Sequence, residues 1–172
     1  MSEEARALAQ RAKRAAPILA EWSQEQIDRV VDAVAAAAQA HIEPFARLAV
    51  EETGFGVLAD KIQKNRFAAE DVYAYIRPMR TVGVIARDET RRVVEIAEPF
   101  GVVAAIVPST NPTSTTIYKI LISLKARCPI VISPHPSAAR CITYVAETLN
   151  AAARQAGVPE GAINWLTQVS LD

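Results

Sequence analysis

Glu98-Pro99-Phe100-Gly101-Val102-Val103-Ala104-Ala105-Ile106-Val107-Pro108-Ser109-Thr110-Asn111-Pro112-Thr113 decides how this chain folds. The apolar run is continuous and bounded by Gly and Pro, so it reads as a strand buried on both faces, the mark of a parallel α/β sheet. It stops in small hydroxyl residues, one Asn and two prolines, and a helix begins at once. Open α/β sheets bind ligands at that carboxyl-end rim. One stretch therefore predicts both a strand and a binding edge.

Downstream, the order strand, helix, strand, helix, strand continues. Gly101–Val107 is followed by a helix over Thr113–Ala126, whose Ile117, Ile120, Leu121 and Leu124 recur at i, i+3, i+4, i+7. Pro129–Ser133 is the second strand. A helix over Ser137–Ala156 carries Ile142, Val145, Ala146 and Leu149 on one side, with Gly157 as its cap. Ala162–Thr167 is the third strand. Two consecutive βαβ units make the sheet parallel.

Upstream the chain is helical. Ser2 to about Leu19 is rich in Ala and Arg, Ser23 with Gln26 forms a capping box, and Ile27, Val30, Val31 and Val34 follow at helical spacing. Pro44 suits the first turn of a third helix that Gly54 closes in a left-handed cap. A fourth helix spans Lys61 to Ile76 and halts before Pro78. Thr81–Ala86 and Arg91–Ala97 are rich in β-branched residues around the turn Arg87-Asp88-Glu89, an antiparallel hairpin. The second of these strands is partly charged, so one face meets solvent or a neighbouring subunit. The expected fold is thus α/β: N-terminal helices over residues 1–78, a hairpin ribbon of the oligomerising kind over 79–98, and a parallel βαβαβ sheet over 99–172.

At 172 residues and 51% hydrophobic content the chain can bury a real core, hiding about 68–70% of its unfolded surface. Nineteen basic and nineteen acidic residues balance, so nothing draws it to nucleic acid or an anionic membrane. It has no bilayer-length apolar run and no signal-peptide core near Met1, which predicts a cytoplasmic protein. Cys128 and Cys141 stand apart from any Cys/His cluster, so no metal site is expected.

Chemistry is expected in two loops. In Pro108–Pro112, the first amides of the following helix face outward at the positive end of its dipole, unless Thr113 or Ser114 caps them. On its residues alone Asn111 reads first as a turn residue before proline and second as an amide donor to an oxygen that gains charge. In Ser133-Pro134-His135-Pro136, His135 is either a surface turn residue or a donor to a ribose or phosphate. There is no GxGxxG and no P-loop. Both cysteines are expected to be buried, although the helix N-terminus beside Cys141 would favour a thiolate.

Together these blocks resemble the aldehyde dehydrogenase superfamily, most closely its CoA-acylating branch. The resemblance is carried by residues 98–115, by Ile122-Ser123-Leu124-Lys125-Ala126-Arg127, by Ser133-Pro134-His135-Pro136 and by Gly157-Val158-Pro159-Glu160-Gly161-Ala162-Ile163-Asn164-Trp165. Ser133 stands where non-acylating relatives usually carry lysine. The resemblance implies an incomplete cofactor-binding domain of an enzyme that uses NAD or NADP and passes an acyl group from an aldehyde to coenzyme A. In that family a cysteine thiolate adds to the aldehyde, hydride leaves for the nicotinamide, and the thioester moves to CoA. Asn111 matches the oxyanion-hole asparagine, which puts the donor role first. Val107, Pro108, Ser109, Ser133, Pro134 and His135 match segments lining the adenosine side of the cofactor cleft. The family's cysteine lies beyond the last matching block. The chain is therefore expected to be about the first third of such an enzyme, inactive by itself and part of a homo-oligomer.

Other readings stay open: a non-acylating aldehyde dehydrogenase, a glutamyl-phosphate-type reductase, or a non-catalytic assembly module. In the last, Ser2–Leu19 would target a bacterial microcompartment instead of packing. A sheet cut at its last strand would leave an apolar edge, so self-association is expected.

Overall fold

The computed structural model describes residues 2–169. The expectation that the chain breaks off mid-fold rests partly on residues 170–172, which lie outside them.

Helices occupy the first part. α1 (Glu3–Ala20) starts at Ser2, whose Oγ accepts from the Ala5 N–H at 3.2 Å. α2 (Gln24–Ala40) opens in the expected capping box, with Ser23 Oγ accepting from the Gln26 N–H at 3.3 Å and Gln26 Oε1 from the Ser23 N–H at 2.9 Å. α3 (Ile42–Thr53) ends on Gly54 at φ +66°, where a side chain would be strained. α4 (Leu58–Arg66) and α5 (Val72–Ile76) run on through a π-helical turn, Phe67–Asp71. The sequence predicts an uninterrupted helix here, because one inserted residue leaves composition and local periodicity almost unchanged. Within the widened turn the Ala69 carbonyl accepts from Gln39 Nε2 at 3.0 Å.

The ribbon pairs β1 (Gly83–Asp88) antiparallel with β2 (Val93–Ala97). A bulge between Val84 and Ala86 uses one extra residue on β1. The reversal consequently lies after Asp88, later than the expected 87–89, and Asp88 Oδ1 accepts from the Arg91 N–H at 2.8 Å. Ile85, Val93, Val94 and Ile96 are all exposed, so the ribbon shows apolar surface on both faces.

The second sheet has the order β3-β4-β5, all parallel: β3 (Val103–Val107), β4 (Ile130–Pro134) and β5 (Ile163–Trp165). α6 (Pro112–Lys125) links the first two strands. A short 3-10 turn (Pro136–Ala138) and α7 (Ala139–Gln155) link the last two. β3 departs from expectation. It starts only after Gly101, which turns the chain at φ +112°, and it is buried on one face alone. Ala105 and Val107 point under cover while Ile106 is 76% exposed. As the edge strand, β3 has the helices on its Ala105/Val107 side, and an apolar run does not reveal which face goes uncovered.

Ile117, Ile120, Leu121 and Leu124 of α6 and Ile142, Val145, Ala146 and Leu149 of α7 are fully buried, together with Ile27, Val30 and Val34 of α2. Each large side chain among them contributes about 1.5–3 kcal/mol by leaving water. α1 buries Ala12, Ala15 and Leu19 and packs beside β4 and β5. A Cβ on Gly161 would sit 2.8 Å from the Arg11 carbonyl oxygen, so only glycine admits α1 this closely. The apolar face that a free targeting helix would need is spent on this packing.

α6 ends in a Schellman motif. The Cys128 N–H donates to the Ser123 carbonyl and the Arg127 N–H to that of Leu124, both at 2.8 Å. Arg127 holds the left-handed position (φ +59°) that glycine ordinarily fills. Its buried guanidinium offsets that strain by donating to the carbonyls of Ala20 and, at 2.9 Å, Ala97, fastening α1 and the ribbon to the sheet layer.

Candidate functional site

Both chemistry-bearing loops leave the sheet at the carboxyl ends of neighbouring parallel strands. Val107 stands opposite Pro134 in the ladder, and the His135 N–H donates to the Val107 carbonyl at 3.1 Å. Val107, Pro108, Ser133, Pro134 and His135, with Ile106 and Pro136, line one cleft of about 500 Å³. Ser109, the remaining residue expected there, is half-buried and lines neither this cleft nor the neighbouring groove. The cleft walls are mainly aliphatic and proline surface with a hydroxyl and an imidazole at the rim, as suits a flat ring carrying a few polar groups. His135 Nδ1 accepts from the Ser137 N–H at 3.1 Å. That bond assigns the proton of the neutral ring to Nε2, which is left as a donor.

The start of α7 is closed to anions from within. Glu52 of α3 places Oε1 2.8 Å from the Arg140 N–H and Oε2 2.7 Å from the Cys141 N–H. A carboxylate at a helix N-terminus satisfies unpaired donors and complements the dipole. α6 differs. No side chain caps it among the described residues. Thr113 does not turn back on the helix; its hydroxyl donates to Asn65 Oδ1 at 2.8 Å.

Asn111, the residue just before α6, lines a separate groove of about 430 Å³ with Gln63, Lys64, Phe67, Ala68, Val72, Ser114 and Tyr118. The π-helical turn brings Phe67 to this groove, where it is 60% exposed. Asn111 Oδ1 accepts from Lys64 Nζ at 2.9 Å. Its Nδ2 makes no hydrogen bond among the described residues.

Three residues of α4 that the sequence did not single out hold this loop. Lys61 Nζ donates to the Thr110 carbonyl at 2.5 Å, Lys64 holds Asn111, and Asn65 accepts from Thr113 while donating to the Ile42 carbonyl at 3.0 Å. Lys61 and Asn65 are buried. Burial, with the Lys64 charge second, pushes the Lys61 pKa below the usual lysine range. Their spacing (i, i+3, i+4) marks one polar helix face, but nothing local says what that face meets.

Neither cysteine is placed to act as a nucleophile. Cys128 and Cys141 are buried. Burial, and then Glu52, raises the Cys141 thiol far above the usual range, against the thiolate that a helix start would favour. Among the described residues no cluster of three or more His, Cys, Asp or Glu could hold a metal, and no helix is long and apolar enough to cross a membrane.

Residues 1–171 match the profile of the Aldehyde dehydrogenase family. The chain belongs to that family. Against the bifunctional aldehyde-alcohol dehydrogenase AdhE of Escherichia coli (strain K12) it is 45% identical over 170 residues, covering 98% of this chain and 19% of that protein. The crystal structure of an acetylating aldehyde dehydrogenase from Geobacillus thermoglucosidasius superposes with a TM-score of 0.95 at 51% identity, covering 98% of this chain and 37% of that one. A Rhodopseudomonas palustris propionaldehyde dehydrogenase, solved with bound CoA and an acylated cysteine, gives a TM-score of 0.79 at 29% identity, covering 96% of this chain and 38% of that one. The chain thus spans about a fifth of the bifunctional relative and somewhat over a third of the solved enzymes. The Geobacillus enzyme is an acetylating one and the Rhodopseudomonas enzyme was solved with CoA, in line with the branch that the sequence resembles.

Proposed function

We propose that these residues supply the dinucleotide cleft and the oxyanion donor of a CoA-acylating aldehyde dehydrogenase, which converts aldehyde, CoA and NAD+ or NADP+ to acyl-CoA and the reduced dinucleotide. One observation carries the reading. Asn111 follows Val107 by four residues around the rim of the sheet, with Oδ1 held by Lys64 and Nδ2 unspent, beside an apolar groove. An aldehyde whose chain lies against Phe67, Val72 and Tyr118 would bring its oxygen to that amide.

When a thiolate adds to the carbonyl carbon, the oxygen gains charge, and Asn111 Nδ2–H donates to it. Removing such a donor costs about 10²–10³ in rate elsewhere. The attacking sulfur comes from neither Cys128 nor Cys141, both buried. The 500 Å³ cleft fits the adenosine end of a dinucleotide: Ile106, Val107, Pro108 and Pro134 offer apolar walls, and Ser133 Oγ and His135 Nε2–H can address a ribose. The bound dinucleotide supplies the hydride acceptor. We assign residues 1–78 and 99–172 to the cofactor-binding part and residues 79–98 to contact between subunits of a homo-oligomer, for which exposed Ile85, Val93, Val94 and Ile96 are suited. A cytoplasmic enzyme is the corresponding location.

Titrating the 172-residue chain with NAD+, NADP+ and CoA, while following its amide resonances, tests the cleft. Dinucleotide is expected to perturb residues 106–108 and 133–137 and to leave the ribbon unchanged. Unmoved signals at millimolar dinucleotide would sink the assignment.

A further inference from the structure

We infer that Lys64 is a positioning residue for the oxyanion donor: its ammonium fixes which end of the Asn111 amide faces the reacting oxygen. The inference rests on the reading of Asn111 above and adds a second residue to it. A side-chain amide is nearly symmetric in shape, and a half-turn about its last bond exchanges donor for acceptor. Only the hydrogen-bond network decides between the two. Lys64 Nζ lies 2.9 Å from the Asn111 amide and has hydrogens only to give, so the amide must present Oδ1 to it and keep Nδ2 for the groove. With the amide turned over, Nδ2 would oppose the ammonium and Oδ1 would face a developing negative charge.

Two neighbouring residues make Lys64 a dependable anchor. Lys61, one turn earlier, holds the Thr110 carbonyl, and Asn65, the next residue, is itself pinned to Thr113 and to the Ile42 carbonyl. Residues 110, 111 and 113 are thereby each tied to α4, and the distance from α4 to the loop is set by buried groups on either side of Lys64. A cation on Oδ1 also polarises the amide, making its N–H a stronger donor. The groove floor, the amide and its anchor thus form a unit that α4 and the π-helical turn build together.

Two measurements test this. In the 172-residue chain, Lys64→Met is expected to shift and broaden the Asn111 side-chain amide resonances, while Lys64→Arg keeps them sharp. Unchanged signals in Lys64→Met would overturn the inference. For catalysis, residues 1–172 replace the matching part of the Geobacillus thermoglucosidasius acetylating aldehyde dehydrogenase, in which Lys64→Met, Asn111→Ala and the double variant are compared. Lys64→Met is expected to lower kcat on the order of tenfold, less than the 10²–10³ for deleting a donor outright. KM for the aldehyde and the thermal midpoint should hardly move, and Lys64→Met should add nothing once Asn111 is alanine. Equal losses from Lys64→Met in both backgrounds would sink the positioning role while leaving Asn111 intact. Full kcat in Asn111→Ala would instead overturn the oxyanion reading itself.

Discussion

His135 and Val107, twenty-eight residues apart in sequence, are joined at the sheet rim by a main-chain hydrogen bond of 3.1 Å. The bond continues the parallel ladder one step past Pro134, and it holds the two loops of the proposed cleft at a fixed separation. The imidazole, oriented by Ser137, is then free to donate through Nε2.

His135→Ala should weaken dinucleotide binding by roughly tenfold, the loss of about one net hydrogen bond. The main-chain tie to Val107 survives the substitution, so the thermal midpoint should stay within a degree or two. Calorimetric titration of the chain and a melting curve check both halves of this expectation.

Arg127 carries a left-handed φ of +59° while its buried side chain makes two carbonyl contacts. Arg127→Ala keeps the backbone strain and loses the contacts, and should cost about 2–4 kcal/mol in denaturant unfolding. Arg127→Gly loses the same contacts but relieves the strain, so it should be about 1 kcal/mol milder. Equal costs would mean that the strain is not there.

Lys61 gives a pH signature. Its pKa is lowered in the fold, first by burial and then by Lys64. Below that lowered value the side chain is charged in both the folded and the unfolded chain, and the full penalty for burying the charge is present. As pH rises from the lowered value towards 10.5, the folded chain sheds its proton first and the penalty fades. Stability relative to Lys61→Met should therefore increase with pH over that window. Urea unfolding of both chains at neutral and alkaline pH measures it, and a Lys61 chain that loses stability relative to Lys61→Met as pH rises would contradict the burial of the ammonium.

Cys128 and Cys141 should resist thiol reagents in the folded chain, labelling only as fast as the chain opens. Reaction of Cys141 at the rate of a free thiol would contradict its burial against Glu52.

The unequal fate of the residue-level expectations has a physical reason. Ser23 with Gln26, Gly54 and Gly157 announce helix ends through local chemistry, and the strand–helix alternation after Gly101 follows from apolar runs and spacing. The rim was legible too, because Pro108 and Pro134 terminate adjacent strands. The contacts of α4 were not. Lys64 reaches Asn111 across forty-seven positions, and Glu52 reaches Cys141 across eighty-nine; a polar residue on a helix face does not tell what will fold over it. Arg127 at a position that favours glycine was equally hidden, because its compensation comes from the Ala20 and Ala97 carbonyls in distant segments.

The π-helical turn at Phe67–Asp71 fixes an angular phase. Deleting one residue there would restore ordinary winding and swing everything before it by about 100° about the helix axis. Lys61, Lys64 and Asn65 would then address a different quadrant, and the amide of Asn111 would lose its keeper with no atom of the loop itself altered. One surplus residue in a helix thus serves as the chain's alignment mark.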